Sequence, residues 1–186
     1  MFEALTFRSA HVSEIDWLCT AIAFDIDLLP IANGAILSVS DSMVRSLIEH
    51  DLLGYSFESF QVAVVEDEAA GFVHLVRADD LLPVLIGSSM YNFAPTIADL
   101  LAPSDVVLNA IYVEPKFRGL GIGRFMIEWA LQNCRDEQRL SLLYSDINAA
   151  HSLGFYTKLG FVARGRTGNS NSEIYLLCSE KQTWTK

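Results

Sequence analysis

The sequence predicts a mixed α/β domain, and three observations carry that prediction. The 186 residues are 51% hydrophobic and 19% charged, with mean hydropathy +0.29. Such a composition buries a core and excludes disorder as the main state. The first half holds two short β-rich runs separated by a tight acidic turn, the pattern of an antiparallel hairpin. The second half alternates apolar runs with helical periodicity, as strand–helix–strand units do. The length suits one domain over residues 1–186, able to bury roughly two thirds of its unfolded surface without disulfides or metal.

Taken in order, residues 4–8 read as a first strand. Ser13 is a candidate N-cap with Glu14 and Asp16 in the first turn, and Ile15, Leu18, Cys19, Ile22 and Ala23 follow at helical spacing. Residues 27–40, with Pro30 and Asn33-Gly34, read as a loop. Asp41 or Ser42 caps a second helix that runs to about Leu53 and stops at Gly54. Residues 61–65 and 71–76 are strands joined through Glu66-Asp67-Glu68. Residues 79–104 carry Pro83, Gly87, Pro95 and Pro103 among apolar residues; a structureless loop of that length is unusual, so a short helix over 95–101 is expected.

Residues 106–113 form an apolar strand that Pro115 breaks. A helix follows from about residue 121 to 136, with Ile122, Phe125, Met126, Trp129 and Ala130 on its buried face. Residues 140–144 are a buried strand. A helix over 149–159 opens at Asn148 and closes at Gly160. Residues 161–164 and 173–177 are the last strands, joined by a polar turn at 168–171.

A net charge of −10 opposes binding to nucleic acid or to an anionic membrane surface. Cys19, Cys134 and Cys178 are odd in number, widely spaced and free of any Cys-x-x-Cys, so buried reduced thiols in a cytoplasmic protein are expected. No signal peptide is read at the N-terminus. The four histidines, His11, His50, His74 and His151, show no metal-ligand spacing, and no metal is expected.

The informative segment is Val113-Glu114-Pro115-Lys116-Phe117-Arg118-Gly119-Leu120-Gly121-Ile122-Gly123-Arg124. A strand enters a loop with glycines at alternate positions, and a helix starts inside it. Glycine lets backbone approach a ligand closely. The first N–H groups of a helix point outward, and with the helix dipole they hold phosphate or pyrophosphate. Lys116, Arg118 and Arg124 add positive charge, with no acid from Pro115 to Arg124. The competing reading is a tight strand-to-helix connection whose glycines serve packing alone. A P-loop requires Lys and then Ser or Thr after its last glycine, and Arg124-Phe125 stands there. A dinucleotide fingerprint requires glycine at position 124. Asp146 mimics its ribose-binding acid, so that reading remains as an alternative.

Arg118-Gly119-Leu120-Gly121-Ile122-Gly123 resembles the acetyl-CoA signature of the GCN5-related N-acetyltransferase (GNAT) family, Arg/Gln-x-x-Gly-x-Gly/Ala. The preceding Asn109 to Pro115 looks like that family's fourth strand, and Tyr156-Thr157-Lys158-Leu159-Gly160-Phe161 matches its Tyr-x-Lys-Leu-Gly-Phe element. The resemblance is strong over 106–162. It implies a central mixed sheet of about six or seven strands, splayed between the fourth and fifth and flanked by about four helices. Residues 106–162 would be the acetyl-CoA-binding core and 79–104 a variable insertion.

The resemblance further implies that backbone groups of Ile111 and Val113, with Tyr112 between them, pair with the pantetheine amides. The N–H groups of Gly119, Leu120, Gly121, Ile122, Gly123 and Arg124 would cradle the pyrophosphate. Arg118 would hold the loop in shape or face solvent. Asn148 would lie near the cofactor, or cap a helix, or both. Tyr156, which in isolation reads as a core tyrosine, would protonate the leaving thiolate, since a phenol of pKa about 10 keeps its proton at pH 7.

Strand alternation places Asn109, Ile111 and Val113 on one face and Tyr112 and Glu114 on the other. No acid lies within that strand, so the acceptor's proton is expected to leave through ordered water near Asn109 or through His74. The expected reaction is acetyl transfer from acetyl-CoA to an amine by direct attack in a ternary complex. A non-catalytic CoA-binding module and a dinucleotide enzyme are the alternatives. A cationic small amine or a peptide N-terminus suits the net charge. The acceptor would sit against residues 27–53 and 79–104. Met90, Tyr91, Asn92 and Phe93 would line a pocket there, or form a flap or dimer contact; a homodimer is left open.

Overall fold

A computed structural model describes residues 5–25, 41–52, 54–81, 101–135, 138–145, 153–169 and 172–179. Its centre is one seven-stranded sheet made of β1 (Leu5–Ser9), β2 (Phe60–Val65), β3 (Glu68–Arg77), β4 (Val106–Val113), β5 (Leu140–Ser145), β6 (Phe161–Asn169) and β7 (Ser172–Ser179). The order across it is β1-β2-β3-β4-β5-β7-β6. Every neighbouring pair is antiparallel except β4 and β5. The helices are α1 (Ile15–Asp25), α2 (Asp41–Glu49), α3 (Ile122–Asn133) and α4 (Leu153–Lys158). The expected mixed sheet with its splay is present. Among the described residues no helix is long and apolar enough to cross a membrane.

The β2–β3 hairpin turns on Glu66 and Asp67, with φ of 48° and 65°. Both lie in the left-handed region, which matches the twist of a two-residue hairpin. The N-terminal helix starts differently from the expectation on Ser13. A single 3₁₀ turn, Val12–Glu14, precedes α1, and the Glu14 carboxylate accepts the His11 N–H at 2.7 Å and two bonds from Arg8. Those bonds hold the Glu14 carboxyl below its ordinary pKa, the Arg8 guanidinium contributing most. The second helix ends at Glu49, short of Leu53. Asp51 adopts φ of 50° there, and Gly54, with φ of 79°, serves a separate turn.

Two apolar layers sandwich the sheet. On one side Leu18, Cys19 and Ile22 of α1 and Val44 and Ile48 of α2 cover Phe60, Val62, Phe72 and Ala110. On the other side Met126, Ile127 and Ala130 of α3 cover Ala63, Val73, Leu108, Leu140 and Phe161. The buried face of α3 is therefore shifted from the expected one. Ile127 is buried and Phe125 is 47% exposed, because Phe125 lies about a third of a turn from the Met126–Ala130 mid-line. Trp129 lies at the margin and stacks on Phe7 with centroids 5.0 Å apart. Gly71 lets β3, β4 and α3 meet: a Cβ there would lie 2.2 Å from the Tyr112 carbonyl oxygen and 2.7 Å from Met126.

Where β4 meets β5 the pairing is short, Val106 to Leu140 and Val107 to Ser141. On its other edge β4 pairs with β3 from Arg77–Val106 to Gly71–Val113. That ladder contains a bulge. His74 pairs with Ala110 and Leu75 with Leu108, so Asn109 is an extra residue. The expected helix over 95–101, the loop at 27–40, Asn148 and the residues Met90 to Phe93 fall on segments that lie wholly or mainly outside the described residues.

Candidate active site

The backbone geometry at the end of β4 follows from its pairing. The Glu114 N–H donates to the Ala70 carbonyl at 2.9 Å, toward β3. Strand alternation then turns the N–H and C=O groups of Val113 and Ile111 to the opposite edge, beyond the last β4–β5 pair. Tyr112 turns its backbone to β3 and its ring away from that edge, against Phe72 and Trp17. It does not share the cleft with its neighbours, as the sequence expectation had it.

Past Pro115–Phe117, a 3₁₀ turn, the chain reverses at Gly119 and Gly121 with φ of 77° and 86°. Side chains are disfavoured there, and glycine is not. Gly121 is the N-cap of α3, and the first helical bond runs from the Phe125 N–H to the Gly121 carbonyl. The N–H groups of Ile122, Gly123 and Arg124 precede that bond and point out of the helix start. The loop's positive side chains each have a partner within the chain. Lys116 pairs with Glu68, Arg124 Nε lies 2.7 Å from Glu128, and Arg118 Nε donates to the Val113 carbonyl at 2.8 Å over the Tyr112 ring. Arg118 thereby ties the glycine loop back to the end of β4. Trp17 adds a brace, its Nε1–H donating to the Glu114 carboxylate.

These elements border a cleft of about 650 Å³ between β4, the glycine loop and α4. Ile111, Val113, Arg118, Gly119, Gly121, Ile122, Gly123, Arg124 and Tyr156 line it. Leu120 does not, its side chain being 51% exposed. Tyr156 comes from α4 and packs edge-on against Phe155 and Phe161. Phe117 and Phe155 also line the cleft and were not singled out from the sequence. Their signal was position alone: each directly precedes a residue that was. A strand edge without a strand partner among the described residues, leading to outward amides at a helix start, can take an extended ligand with amides along its length and a diphosphate at its end.

The profile of the acetyltransferase (GNAT) family matches residues 34–161, more than half of the chain. The chain belongs to that family. It is also 32% identical over 62 residues to the peptidyl-lysine N-acetyltransferase YjaB of Escherichia coli (strain K12), a match spanning 32% of this chain and 38% of that protein. Among solved structures, an N-acetyltransferase from Staphylococcus aureus Mu50 superposes with TM-score 0.68 at 16% identity, covering 93% of this chain and 99% of that one. Arabidopsis thaliana Naa50, solved with the bisubstrate analogue CoA-Ac-MVNAL, superposes with TM-score 0.59 at 14% identity, covering 95% and 99%. These two likenesses concern the fold.

Within this GNAT domain His74 has a different part from the expected one. It is fully buried, and its ring stacks on Phe60 with centroids 4.2 Å apart. Its Nε2 lies 3.1 Å from the Gly54 carbonyl, which can only accept, so Nε2 carries the proton. Nδ1 then accepts from Asn109 Nδ2 at 3.0 Å. Both nitrogens are occupied, and His74 lies on the α1–α2 side of the sheet. Asn109 sits there too, since its second N–H donates to the Tyr55 hydroxyl at 2.9 Å. The bulge makes Asn109 depart from the face of Ile111 and Val113, a correction to the simple alternation.

Burial pushes the His74 pKa down from 6.5 to about 4. The unfolded chain binds this proton below about pH 6.5, and the folded chain only near pH 4. The contribution is therefore complete above 6.5 and declines as pH falls toward 4. Stability should drop by about 2 kcal/mol between pH 7 and pH 5 from this group. Denaturant midpoints at the two pH values check it, and His74→Phe should flatten the slope. An unchanged slope in that variant would remove His74 as its source.

Proposed function

We propose that the chain transfers the acetyl group of acetyl-CoA to an amine by direct attack in a ternary complex. The observation that carries this reading is the open edge of β4 leading without interruption into the amides at the start of α3. Ile111 and Val113 would pair with the two pantetheine amides as a neighbouring strand would. The N–H groups from Gly119 to Arg124 would hold the pyrophosphate, helped by the α3 dipole. The Val113 N–H is a suitable donor to the thioester carbonyl, where negative charge grows during attack. The Val113 carbonyl, in the following peptide, accepts from Arg118. Tyr156 borders the same cleft and would give its proton to the departing thiolate as the C–S bond breaks. Asn148 would complete the cofactor contacts.

The acceptor proposed is a cationic small amine, an amino acid or a peptide amine, consistent with the net charge of −10. Neither proton route read from the sequence has support in the geometry, since His74 and Asn109 are engaged with each other away from the cleft. No carboxylate is among the described residues that line the cleft. That observation favours the second reading, CoA binding without transfer. Thiol release across a panel of amines separates the two.

Calorimetry with CoA and acetyl-CoA tests the proposal, and no heat at millimolar concentration would end it. Two glycine variants sharpen the test. Gly121→Ala forces a Cβ into a left-handed backbone, so the loop must shift; CoA affinity should weaken at least about tenfold. At Gly123 an added Cβ would meet Phe155 and Val113 at 3.6 and 3.7 Å, ordinary contact. Gly123→Ala should therefore change affinity by no more than about threefold.

A further inference from the structure

The β4 bulge coincides with the opening of the sheet. The last β4–β5 pair is Val107–Ser141, and the extra residue, Asn109, comes two positions later. A bulge adds one residue to one strand, bends it and increases its twist. The sites of bend and separation therefore agree. Nothing in the local apolar pattern fixes the bulge at Asn109, because Val106, Val107, Leu108, Ala110 and Ile111 are all apolar. A polar lock does fix it. The two N–H groups of Asn109 are divided between Tyr55 and His74, and His74 is anchored in turn on the Gly54 carbonyl. The Tyr55 ring is tilted against His74 with centroids 4.4 Å apart, and Phe60 stacks on the imidazole face at 4.2 Å.

We propose that Tyr55, His74 and Asn109 are positioning residues that pin the β4 bulge, and that the pinned bulge holds the N–H groups of Ile111 and Val113 clear of β5 for a ligand. Losing the bulge at constant chain length would shift β4 by one residue against β3 on one side of it and exchange which backbone groups face the opening. The lock selects the arrangement in which Ile111 and Val113 do. Its consequence for CoA rests on the function proposed above; its consequence for the backbone does not.

The lock can be removed without leaving buried polar side chains unpaired. A Tyr55→Phe, His74→Phe, Asn109→Leu triple variant keeps the chain length and replaces the network by apolar groups of similar shape, a change compatible with retained stability. A second variant deletes Asn109 in the Tyr55→Phe, His74→Phe background. The deletion leaves a regular ladder, with Leu108, Ile111 and Val113 on one face and Ala110 and Tyr112 on the other, as now. Hydrogen exchange is read at Ile111 and Val113 in ligand-free protein, beside the melting temperature.

In the deletion variant both amides should exchange at least about tenfold more slowly as β4 pairs further along β5. In the triple variant their exchange should change at least about threefold, in either direction, while amides of β6 and β7 stay put. CoA affinity should fall at least about tenfold in both. Folded variants with wild-type exchange at Ile111 and Val113 overturn the proposal. If only the deletion variant fails to fold, the triple variant decides; if neither folds, the three residues are structural and the proposal falls. Wild-type protein that binds no CoA would refute the proposed function while leaving the exchange result to judge the lock.

Discussion

Arg139→Ala is expected to destabilise the protein by about 3–5 kcal/mol, more than Asp105→Ala at about 2–3 kcal/mol. The two residues stand where β4 and β5 begin. Arg139 Nε and one terminal nitrogen reach the two Asp105 oxygens at 3.0 and 2.6 Å. Asp105 also accepts the Ala102 N–H at 3.0 Å, and the Val106 N–H donates to the Arg139 carbonyl at 2.9 Å. The order of the two effects comes from burial. Asp105 is 1% exposed, whereas the Arg139 side chain is 36% exposed. Truncating Arg139 leaves a carboxylate buried with one backbone donor. Truncating Asp105 leaves a guanidinium that can turn to water. Urea unfolding of both single variants and the double variant measures the coupling. Equal losses would show that the carboxylate is better solvated than its burial indicates. The pair closes one end of the sheet, and the bulge begins the opening at the other.

Tyr156→Phe is expected to lower kcat about 100- to 1000-fold while acetyl-CoA KM changes by less than about threefold. The substitution removes one oxygen and keeps the ring, which packs on Phe155 and Phe161 at 5.2 and 5.8 Å. Binding should therefore persist, and the loss should fall on the step in which charge develops on sulfur. A poorer thiolate leaving group feels the missing proton most. Acyl donors with a thiol of lower pKa should recover part of the rate in the variant. Pre-steady-state thiol release with both donors distinguishes this from slow product departure. An unchanged kcat would return Tyr156 to the part of a packing residue.

Much of this was legible in the residues. The hairpin at Glu66-Asp67, the strand Val106–Val113 and the glycine loop were read with little error, because each has a local cause: a turn, an apolar run bounded by Pro115, and a spacing of glycines. The helix ends were read less well. Ser13 looked like a cap, yet Glu14 reaches back to the His11 N–H because Arg8 holds its carboxylate on the neighbouring strand. Gly54 looked like the stop of α2, yet Asp51 takes the left-handed conformation first. At the first a contact from a neighbouring strand chose another residue; at the second the helix's own last turn closed earlier, the Leu52 N–H donating to the Leu47 carbonyl at 2.9 Å.

The sequence alone determined the family, the order of strands and helices and the loop whose amides face the cleft, since those depend on local spacing and on backbone freedom at glycine. Only the tertiary structure decided the bulge at Asn109, the side of the sheet that His74 occupies and the partners of the loop's three cations. A strand buried on both faces carries no polar–apolar alternation, so an inserted residue leaves no trace in its pattern. Ion pairs such as Lys116 with Glu68 join residues far apart in the chain, and proximity of that kind exists only once the sheet has formed.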